Sequence, residues 1–300
     1  MRIALTANTA SGGGLDPEPL VESMTRHGAE VELFGCEPDE LERLAAGPAP
    51  DRIAVAGGDG TIGAAAQTAG GLGVPLAVIP MGTANDYARS NDLPVDLVEA
   101  AELAATGVDT RPLELGHLAD GRAFVNVASA GLAAEAARYA SPFKPLLGPL
   151  AYAAGALRAA ATETPLDCTI RIDGATAFRG GTWQVIVSVS GAFGGGSDVG
   201  IADPGDGVLE VTVIPAGSRI ALARRAWGLR RGTITEQSAV ESHRGCVVEI
   251  TLPPRTELNV DGEIRDGGLE RVSVKSAAYE LVVPGGGASS TPSRPRRLTS

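Results

Sequence analysis

Apolar runs alternate with segments of helical periodicity over the first third of the chain. The runs predict four strands: Arg2–Ala7, Glu30–Phe34, Arg52–Ala56 and Pro75–Ile79. The intervening segments predict four helices: Pro19–His27, Asp39–Ala46, Thr61–Thr68 and Val95–Ala105. Strands that alternate with helices are typical of a parallel sheet whose faces are covered by helices. We therefore expect an open parallel α/β domain over residues 1–112.

After Arg111 the pattern changes to short runs in which apolar and polar residues alternate. Runs such as AFVNVAS, LDCTIRID, WQVIVSVS and YELVVP are separated by turn residues. They indicate an antiparallel, β-sandwich-like domain over residues 113–284, with one helical insert around residues 148–162. Whether the last strand returns to the first domain is left open. Residues 285–300 are low in complexity, and we expect a disordered tail there.

Length and charge narrow the classes of function. Three hundred residues suit two domains, and a hydrophobic content of 44% supplies both cores. The net charge of −11 argues against a general nucleic-acid-binding protein. The three cysteines lack metal-binding spacing, and we find neither a signal peptide nor an apolar run of about 18 residues. We therefore expect a soluble cytoplasmic protein, with peripheral contact at the inner membrane face left open.

A glycine-rich turn follows the third predicted strand, in the sequence AVAGGDGTIGAAAQ. Adjacent glycines let backbone amides face an anion beside a helix N-terminus, and phosphate is the anion most often bound at such a turn. Asp59 adds a carboxylate, which suits such a site if it binds a ribose, an amide or Mg²⁺. Taken alone, the same residues also fit a tight turn with an N-capping side chain.

A second glycine-rich turn, IPMGTANDYAR, follows the fourth predicted strand. In a parallel sheet both turns lie at the carboxyl edge of the strands, where ligands bind. The early loop over residues 8–14 supplies a third wall. Three loops at one edge favour a nucleotide triphosphate site over coincidental turns.

The two turns together resemble the soluble diacylglycerol kinase-type lipid kinases, a family that includes sphingosine kinases and is related to NAD kinases. GGDGT alone also occurs in NAD kinases, whereas the second motif separates the two groups. The resemblance continues through four further segments: NVASAGLAAEAARY, LGPLAYAAGALRAA, GAFGGGSDVGIADPGDGVLEV and NVDGEI. It implies an ATP-dependent kinase with its active site in the cleft between the two domains.

The resemblance also implies a set of nucleotide-binding residues. They are Asn8, Ser11, Gly57, Gly58, Asp59, Gly60, Thr61, Gly82, Thr83, Asn85 and Asp86. The glycines of the first turn hold phosphates together with Thr61, and Thr83 and Asn85 shape the second turn. Asn8 and Ser11 contact the nucleotide from the early loop.

The DGE sequence supplies the candidate catalytic carboxylates. Asp261 and Glu263 flank Gly262, and in an extended strand their side chains would face one side while the glycine leaves room for a substrate. A similar motif supplies the base in the lipid kinases, which implies Asp261 as the base and Glu263 as its orienting partner. DGE also fits an ordinary hairpin turn, and these residues alone do not decide between the two.

Magnesium is the cofactor that the resemblance implies. Its candidate ligands near the nucleotide are Asp59, Asp86 and Glu114, where Glu114 replaces an aspartate that is common in the family. A second loop resembles a structural Mg²⁺ site of bacterial members through Asp203, Asp206 and the carbonyl of Val208. A solvated acidic turn is the alternative for that loop. Ser190 also departs from the family, which usually has asparagine at this position.

We predict a lipid kinase that uses ATP and Mg²⁺, with diacylglycerol as the first choice of lipid substrate. One alternative is a kinase for another alcohol, such as a sphingoid base, a glycerophospholipid or a small metabolite. Another is a nucleotide-binding regulator without catalysis. A homodimer is left open, and the segment over residues 141–157 either dips into a membrane interface or packs as a core helix.

Overall fold

The computed structural model describes most of the chain. The described ranges are residues 1–8, 16–82, 84–140, 158–159, 161–190, 192–193, 197–198, 205–218, 240–265 and 269–285. Most of the predicted helical insert, the 141–157 segment and nearly all of the predicted tail lie outside these ranges. None of the helices within them has the length and hydrophobicity needed to span a membrane.

The helices of the described chain are α1 (Glu18–Arg26), α2 (Pro38–Ala46), α3 (Asp59–Leu72), α4 (Asp86–Ser90), α5 (Leu97–Thr106) and α6 (Leu132–Ala140). The strands are β1 (Arg2–Ala7), β2 (Glu30–Phe34), β3 (Arg52–Gly57), β4 (Leu76–Pro80), β5 (Thr110–Leu118), β6 (Ala123–Phe124), β7 (Val127–Gly131), β8 (Leu166–Ile172), β9 (Ala175–Ser188), β10 (Ala192–Phe193), β11 (Ser197–Asp198), β12 (Leu209–Pro215), β13 (Glu241–Gly245), β14 (Val247–Thr251), β15 (Leu258–Val260), β16 (Glu263–Arg265) and β17 (Arg271–Val282).

The N-terminal part is a parallel sheet in the order β2-β1-β3-β4. Every residue of β3 and β4 is buried, because helices cover both faces. On one face Ile3, Leu5 and Ala54 pack with residues of α1 and α5. On the other, Ile53 and Val55 pack with residues of α2 and α3. Strand residues that alternate between two apolar cores explain why these strands are apolar throughout.

The C-terminal part is built from antiparallel strands. β9 pairs with β7, β8 and β12, and β14 pairs with β8. Their inward-facing side chains form a separate aliphatic core that includes Ile170, Val187, Val211 and Val248. The predicted fold class, a parallel α/β sheet followed by antiparallel β strands, is therefore confirmed.

The long strand β17 connects the two parts. It pairs antiparallel with β14 and β5, and Leu281 near its end pairs parallel with Leu76 of β4. The register of its pairing with β5 shifts between Lys275 and Tyr279, where Ala277 has φ +44°. This irregularity lets one strand follow the antiparallel sheet first and the parallel sheet afterwards.

The predicted and observed helices and strands differ where tertiary contacts, rather than local sequence, determine the structure. β1 and β2 have the predicted bounds, whereas α3 begins at Asp59 rather than at Thr61. Strand β5 and helix α6 were not among the predicted elements. Of the two structures that the DGE sequence allows, the hairpin turn is the one observed, because Asp261 and Gly262 form the two-residue turn between β15 and β16.

Candidate active site

The two glycine-rich turns touch each other through their backbones. The N–H of Met81 donates to the carbonyl of Gly57 at 2.8 Å. A Cβ added to Gly82 would lie 2.9 Å from the Cα of Gly58, so only a glycine permits this approach. Thr61 closes the first turn by donating its hydroxyl to the carbonyl of Gly58 at 2.7 Å. The structure thus brings the two predicted loops together at the carboxyl edge of β3 and β4.

Asp59 bridges the first turn to the second. Its Oδ1 accepts the N–H of Tyr87 at 2.9 Å, and its Oδ2 accepts the N–H of Asp86 at 3.2 Å. The carboxylate therefore caps the N-terminus of α4, where free amides favour a negative charge. Burial raises the pKa of Asp59 above its usual value, while these amide hydrogen bonds act in the opposite direction. The nearby Asp86 carboxylate adds to the increase.

Asp261 projects from its hairpin turn toward the start of β7. Its Oδ2 accepts the N–H of Val125 at 2.8 Å, and its Oδ1 accepts those of Asn126 and Val127, each at 2.9 Å. The turn has φ +47° at Asp261 and +89° at Gly262, as a tight hairpin requires. Burial raises the pKa of Asp261 to about 7 despite the three amide donors, and the Asp59 charge contributes to the increase.

Glu263 leaves the turn in another direction and lies on the first turn of α3. A Cβ added to Gly60 would meet Oε1 of Glu263 at 2.5 Å and its Cδ at 2.7 Å. Glu263 also forms an ion pair with Arg265. The described contacts that orient Asp261 are backbone amides of residues 125–127, so the orienting role expected for Glu263 stays a prediction. What the contacts do establish is that the DGE turn meets the GGDGT loop.

Asn126 was not singled out from the sequence, although it lies near both carboxylates. Its backbone N–H donates to Asp261, and its side-chain amide is near enough to Asp59 to act against the increase in the pKa of that carboxyl. Asn126 is only 3% exposed. The sequence gives one weak signal for it, an isolated amide within an otherwise apolar and small-residue run. Its contacts join residues that are far apart in the sequence, and no local sequence pattern predicts such contacts.

A second acidic cluster lies where β5 meets the loop before β12. Glu114 is buried, and neither of its carboxylate oxygens has a hydrogen-bond partner among the described residues. Burial raises the pKa of Glu114, and the nearby amides of Gly205 and Gly207 oppose that increase without forming a hydrogen bond of normal geometry. Asp206 accepts the N–H of Val208 at 3.0 Å and forms an ion pair with Arg244. Arg244 thus supplies a positive charge to one of the predicted metal ligands.

A pair of buried hydroxyls links the second loop to β17. The hydroxyls of Tyr87 and Tyr279 lie 2.6 Å apart, in a position to share a hydrogen bond. Beside them is a cavity of about 10 Å³, which is close to the space that one water requires. Its polar lining includes Glu114, Asn91 and Ser190. The cavity therefore lies between Tyr87 and Asn91, which follow the second glycine-rich turn, and Glu114 of the acidic cluster.

Several predicted site residues either lie outside the described residues or have few described contacts. Ser11, Thr83 and Asp203 lie outside the described residues. Asn8 donates its backbone N–H to the carbonyl of Ala56 at 3.0 Å, beside the first glycine turn. Asn85 has φ +50° and precedes α4. No group of three or more His, Cys, Asp or Glu side chains within the described ranges is arranged to hold a metal ion.

A larger pocket of about 460 Å³ opens away from these loops, on β8, β9 and β14. It is lined by Asp167, Cys168, Thr169, Arg179, Gly180, Thr251, Leu252 and Pro253. None of the predicted site residues belongs to this lining. The chemistry-bearing residues are instead at the junction of the glycine loops with the DGE turn.

Known proteins match both parts of the chain. The family model of the diacylglycerol kinase catalytic domain matches residues 2–118, and the YegS C-terminal NAD kinase beta sandwich-like domain matches residues 126–283. The diacylglycerol kinase of Bacillus subtilis is 29% identical over 71% of this chain and 71% of its own. A Pseudomonas aeruginosa protein named "Probable lipid kinase YegS-like" is 30% identical over 82% of this chain and 80% of its own.

A solved structure supports the fold. A diacylglycerol kinase from Bacillus anthracis superposes with a TM-score of 0.72 at 20% identity, over 95% of this chain and 97% of that chain. The second family model covers more than half of the chain by itself. These matches confirm the resemblance read from the glycine motifs. The chain therefore belongs to the diacylglycerol kinase-type lipid kinases, a family of ATP-dependent kinases.

Proposed function

We propose that this protein transfers the γ-phosphate of ATP to the hydroxyl of diacylglycerol and releases phosphatidic acid and ADP. The observation that carries the proposal is the contact between the DGE turn and the glycine loops. Glu263 lies against Gly60, and Asp261 is held near Asp59. A buried carboxylate from one domain thus faces a phosphate-binding edge of the other. The name of the Bacillus subtilis relative favours diacylglycerol as the acceptor.

In this proposal the glycine loops hold the triphosphate. Gly58 and Gly82 leave the backbone exposed where their loops touch, and α3 begins directly after the first loop. Free amides at the start of a helix attract phosphate oxygens. Asn8, whose backbone N–H donates to the carbonyl of Ala56, lies at the same edge. Holding ATP in one orientation supplies much of the catalysis, since phosphoryl transfer depends on position and charge.

Asp261 acts as the general base in this scheme. A carboxylate oxygen has two lone pairs, and Oδ1 uses both on the amides of Asn126 and Val127. Oδ2 uses one on the amide of Val125 and keeps the other for the acceptor hydroxyl. As the acceptor oxygen bonds to the γ-phosphorus, the bond from that phosphorus to the bridging oxygen breaks and the proton moves to Oδ2. Such proton transfer contributes about 10²–10⁴ in rate.

The residues present fit a divalent cation beside the phosphates. Asp59 and Asp86 are close enough for the charge of Asp86 to raise the pKa of Asp59, and a dication relieves that repulsion. A bound Mg²⁺ neutralises phosphate charge during transfer. Glu114 is a further candidate because its buried oxygens have no partner among the described residues. At Asp206, Arg244 already supplies a positive charge.

The test is phosphate transfer from labelled ATP with Mg²⁺ to diacylglycerol, a sphingoid base, a glycerophospholipid and a soluble alcohol. We expect transfer to diacylglycerol by the wild-type protein and loss of about 10²–10⁴ in rate for Asp261→Asn. The chain offers a matched control in Asp173→Asn. Asp173 and Gly174 form the same kind of turn, with φ +48° and +85°, but Asp173 is exposed and its carboxylate accepts the N–H of Val247.

The two variants separate turn geometry from catalysis. Both replace an aspartate that occupies a hairpin turn and accepts backbone amides, so both report the structural cost of the change. Only Asp261→Asn removes the proposed base. Equal activity of the two variants would contradict the role of Asp261. Transfer to another alcohol but not to diacylglycerol would correct the acceptor and leave the kinase assignment in place.

A further inference from the structure

We propose that the guanidinium of Arg244 is the resident cation of the acidic loop before β12, where the family resemblance implies a structural Mg²⁺. The described residues of this loop are 205–208, called here the Asp206 loop, and β12 begins directly after them at Leu209. This inference goes beyond the proposed function and does not rest on it, because it concerns how the loop is held. It predicts that the Asp206 loop is stabilised without a metal ion.

Arg244 contacts two carboxylates through two neighbouring nitrogens of one guanidinium. Its Nε donates to Oε1 of Glu210 at 3.1 Å, and its Nη2 donates to Oδ2 of Asp206. Arg244 lies on β13 directly opposite Glu210 of β12, so the register of the sheet sets the first contact. The second contact reaches from the sheet to the Asp206 loop. A single side chain therefore ties the loop to the two strands that follow it.

Both carboxylate oxygens of Asp206 are engaged in this arrangement. Oδ1 accepts the N–H of Val208 at 3.0 Å, and Oδ2 accepts from Arg244. A positive charge therefore already lies beside Oδ2, the oxygen that the Val208 amide leaves free. A dication at the same oxygen would be repelled by the guanidinium and would have to displace it. The described residues of the loop thus fit an arginine in the place of the metal.

Glu210 explains why a permanent positive charge is needed at this position. Its side chain is only 1% exposed, and its Oε2 has no hydrogen-bond partner among the residues that the structure describes. A buried carboxylate requires an opposite charge because little water reaches it. Burial raises the pKa of Glu210 to about 7, the charge of Asp206 adds to the increase, and Arg244 opposes it. Arginine keeps its charge at any physiological pH and so offsets the repulsion between the two carboxylates.

The Asp206 loop also packs against the irregular part of β17. A Cβ added to Gly207 would lie 2.4 Å from Oγ of Ser276, at the point where the register between β5 and β17 shifts. The loop that Arg244 holds is therefore in contact with the strand that joins the two sheets. Loss of Arg244 should consequently be visible in the unfolding of the whole protein.

The experiment measures urea midpoints in EDTA and over a series of Mg²⁺ concentrations, without nucleotide. A ligand that binds the folded protein raises the midpoint as its concentration increases. Asp206→Asn should show the same magnesium-dependent shift as the wild-type protein, because any Mg²⁺ that the wild-type protein binds is held elsewhere. Arg244→Gln should have a lower midpoint in EDTA and a larger magnesium-dependent shift, because a dication then replaces the guanidinium between Asp206 and Glu210. Adding Asp206→Asn to Arg244→Gln should remove that extra shift.

Arg271→Gln is the matched control. Arg271 of β17 lies directly opposite Glu249 of β14 and forms an ion pair with it, as Arg244 does with Glu210. The side chain of Glu249 is 44% exposed and also pairs with Arg171, so the substitution leaves no buried carboxylate without a cation. The magnesium-dependent shift of Arg271→Gln should equal that of the wild-type protein.

Two results would overturn the inference. One is a smaller magnesium-dependent shift in Asp206→Asn than in the wild-type protein, because the loop would then bind Mg²⁺ beside Arg244. The other is an Arg244→Gln shift no larger than that of Arg271→Gln. The Asp206→Asn comparison keeps Arg244 in place, so it decides the question even if Arg244→Gln does not fold. Failure to transfer phosphate to any acceptor would refute the proposed function and leave these unfolding results unaffected.

Discussion

At the scale of single residues, Asp261 combines burial with a specific set of hydrogen bonds. The side chain is 8% exposed, and three amides from residues 125–127 keep it in place. Each amide favours the charged form, yet burial outweighs them and raises the pKa to about 7. A base whose pKa is near neutral is well suited to accept a proton at physiological pH.

The pH dependence of catalysis follows from this shift. We expect kcat/KM to rise with pH and to level off above about pH 7, because Asp261 must lose its proton before it can accept one. Stability should change in the opposite direction. The unfolded chain releases this proton near the ordinary aspartate pKa of 3.8 and the folded chain near 7, so the free energy of unfolding should fall across that interval as pH rises.

Initial rates measured over a pH series check the predicted rise in kcat/KM. Urea unfolding at the same pH values checks the predicted fall in the free energy of unfolding. In Asp261→Asn the carboxyl group is absent. The fall in unfolding free energy between pH 4 and 7 should therefore be smaller than in the wild-type protein. An unchanged slope in this variant would assign the effect to other carboxylates.

Gly60 provides a second prediction at the residue scale. Gly60→Ala should lower kcat about 10-fold or more, because its Cβ would displace the Glu263 carboxyl, whose Oε1 and Cδ now lie 2.5 and 2.7 Å from that position. Gly71→Ala is the control on the same helix, since a Cβ there meets nothing within 4 Å. The control should keep its activity and gain about 0.5–1 kcal/mol of stability from the helix preference of alanine. Equal activity of both variants would contradict the role of the close approach.

At the scale of elements, the sequence predicted what local patterns determine. β1 and β2 have the predicted bounds because apolar runs between turn residues specify buried strands. The start of α3 was predicted two residues late, since Asp59 was taken as part of a loop while its carboxylate caps α4 from within the helix. The structure around Asp261 was left open between a strand and a hairpin turn, because the DGE sequence suits either. Asn126 was missed because its partners lie in other elements.

The junction of α4 with β17 carries a prediction of its own. Tyr279→Phe should lower the free energy of unfolding by about 1–3 kcal/mol, because it leaves the buried Tyr87 hydroxyl without its partner. Replacing both tyrosines with phenylalanine should restore most of that loss. Urea unfolding of the two single variants and the double variant measures the coupling. A double variant that is less stable than either single variant would contradict a shared hydrogen bond.

At the scale of the whole molecule, β17 makes the two sheets one structure. It pairs with β14 and β5 of the antiparallel part and with β4 of the parallel part. Leu281 is fully buried and packs in the α/β core with Leu76 and Val78. Val272, near the other end of the same strand, packs in the β core. A substitution that disrupts packing at one end of β17 should therefore destabilise both cores.

Leu281→Ala tests this connection. It should destabilise the protein by about 2–5 kcal/mol, the range for a leucine removed from a packed core. In a Trp227→Phe background the remaining indole is Trp183 of β9, which lies in the β part. Its fluorescence midpoint in urea should shift with Leu281→Ala although the cavity is in the other core. Val108→Ala, at an 86% exposed position, should leave the midpoint unchanged.

The position of β17 in the chain also bears on biosynthesis. Ribosomes extend proteins from the N-terminus, so β1 to β4 emerge long before the strand that pairs with the exposed side of β4. Until β17 emerges, β4 has an open edge, and open edges invite pairing with other chains. A nascent chain that stalls before residue 271 would therefore carry the complete GGDGT loop on an unfinished, aggregation-prone sheet. Resistance to aggregation should consequently be acquired late in translation, when β17 pairs with β4.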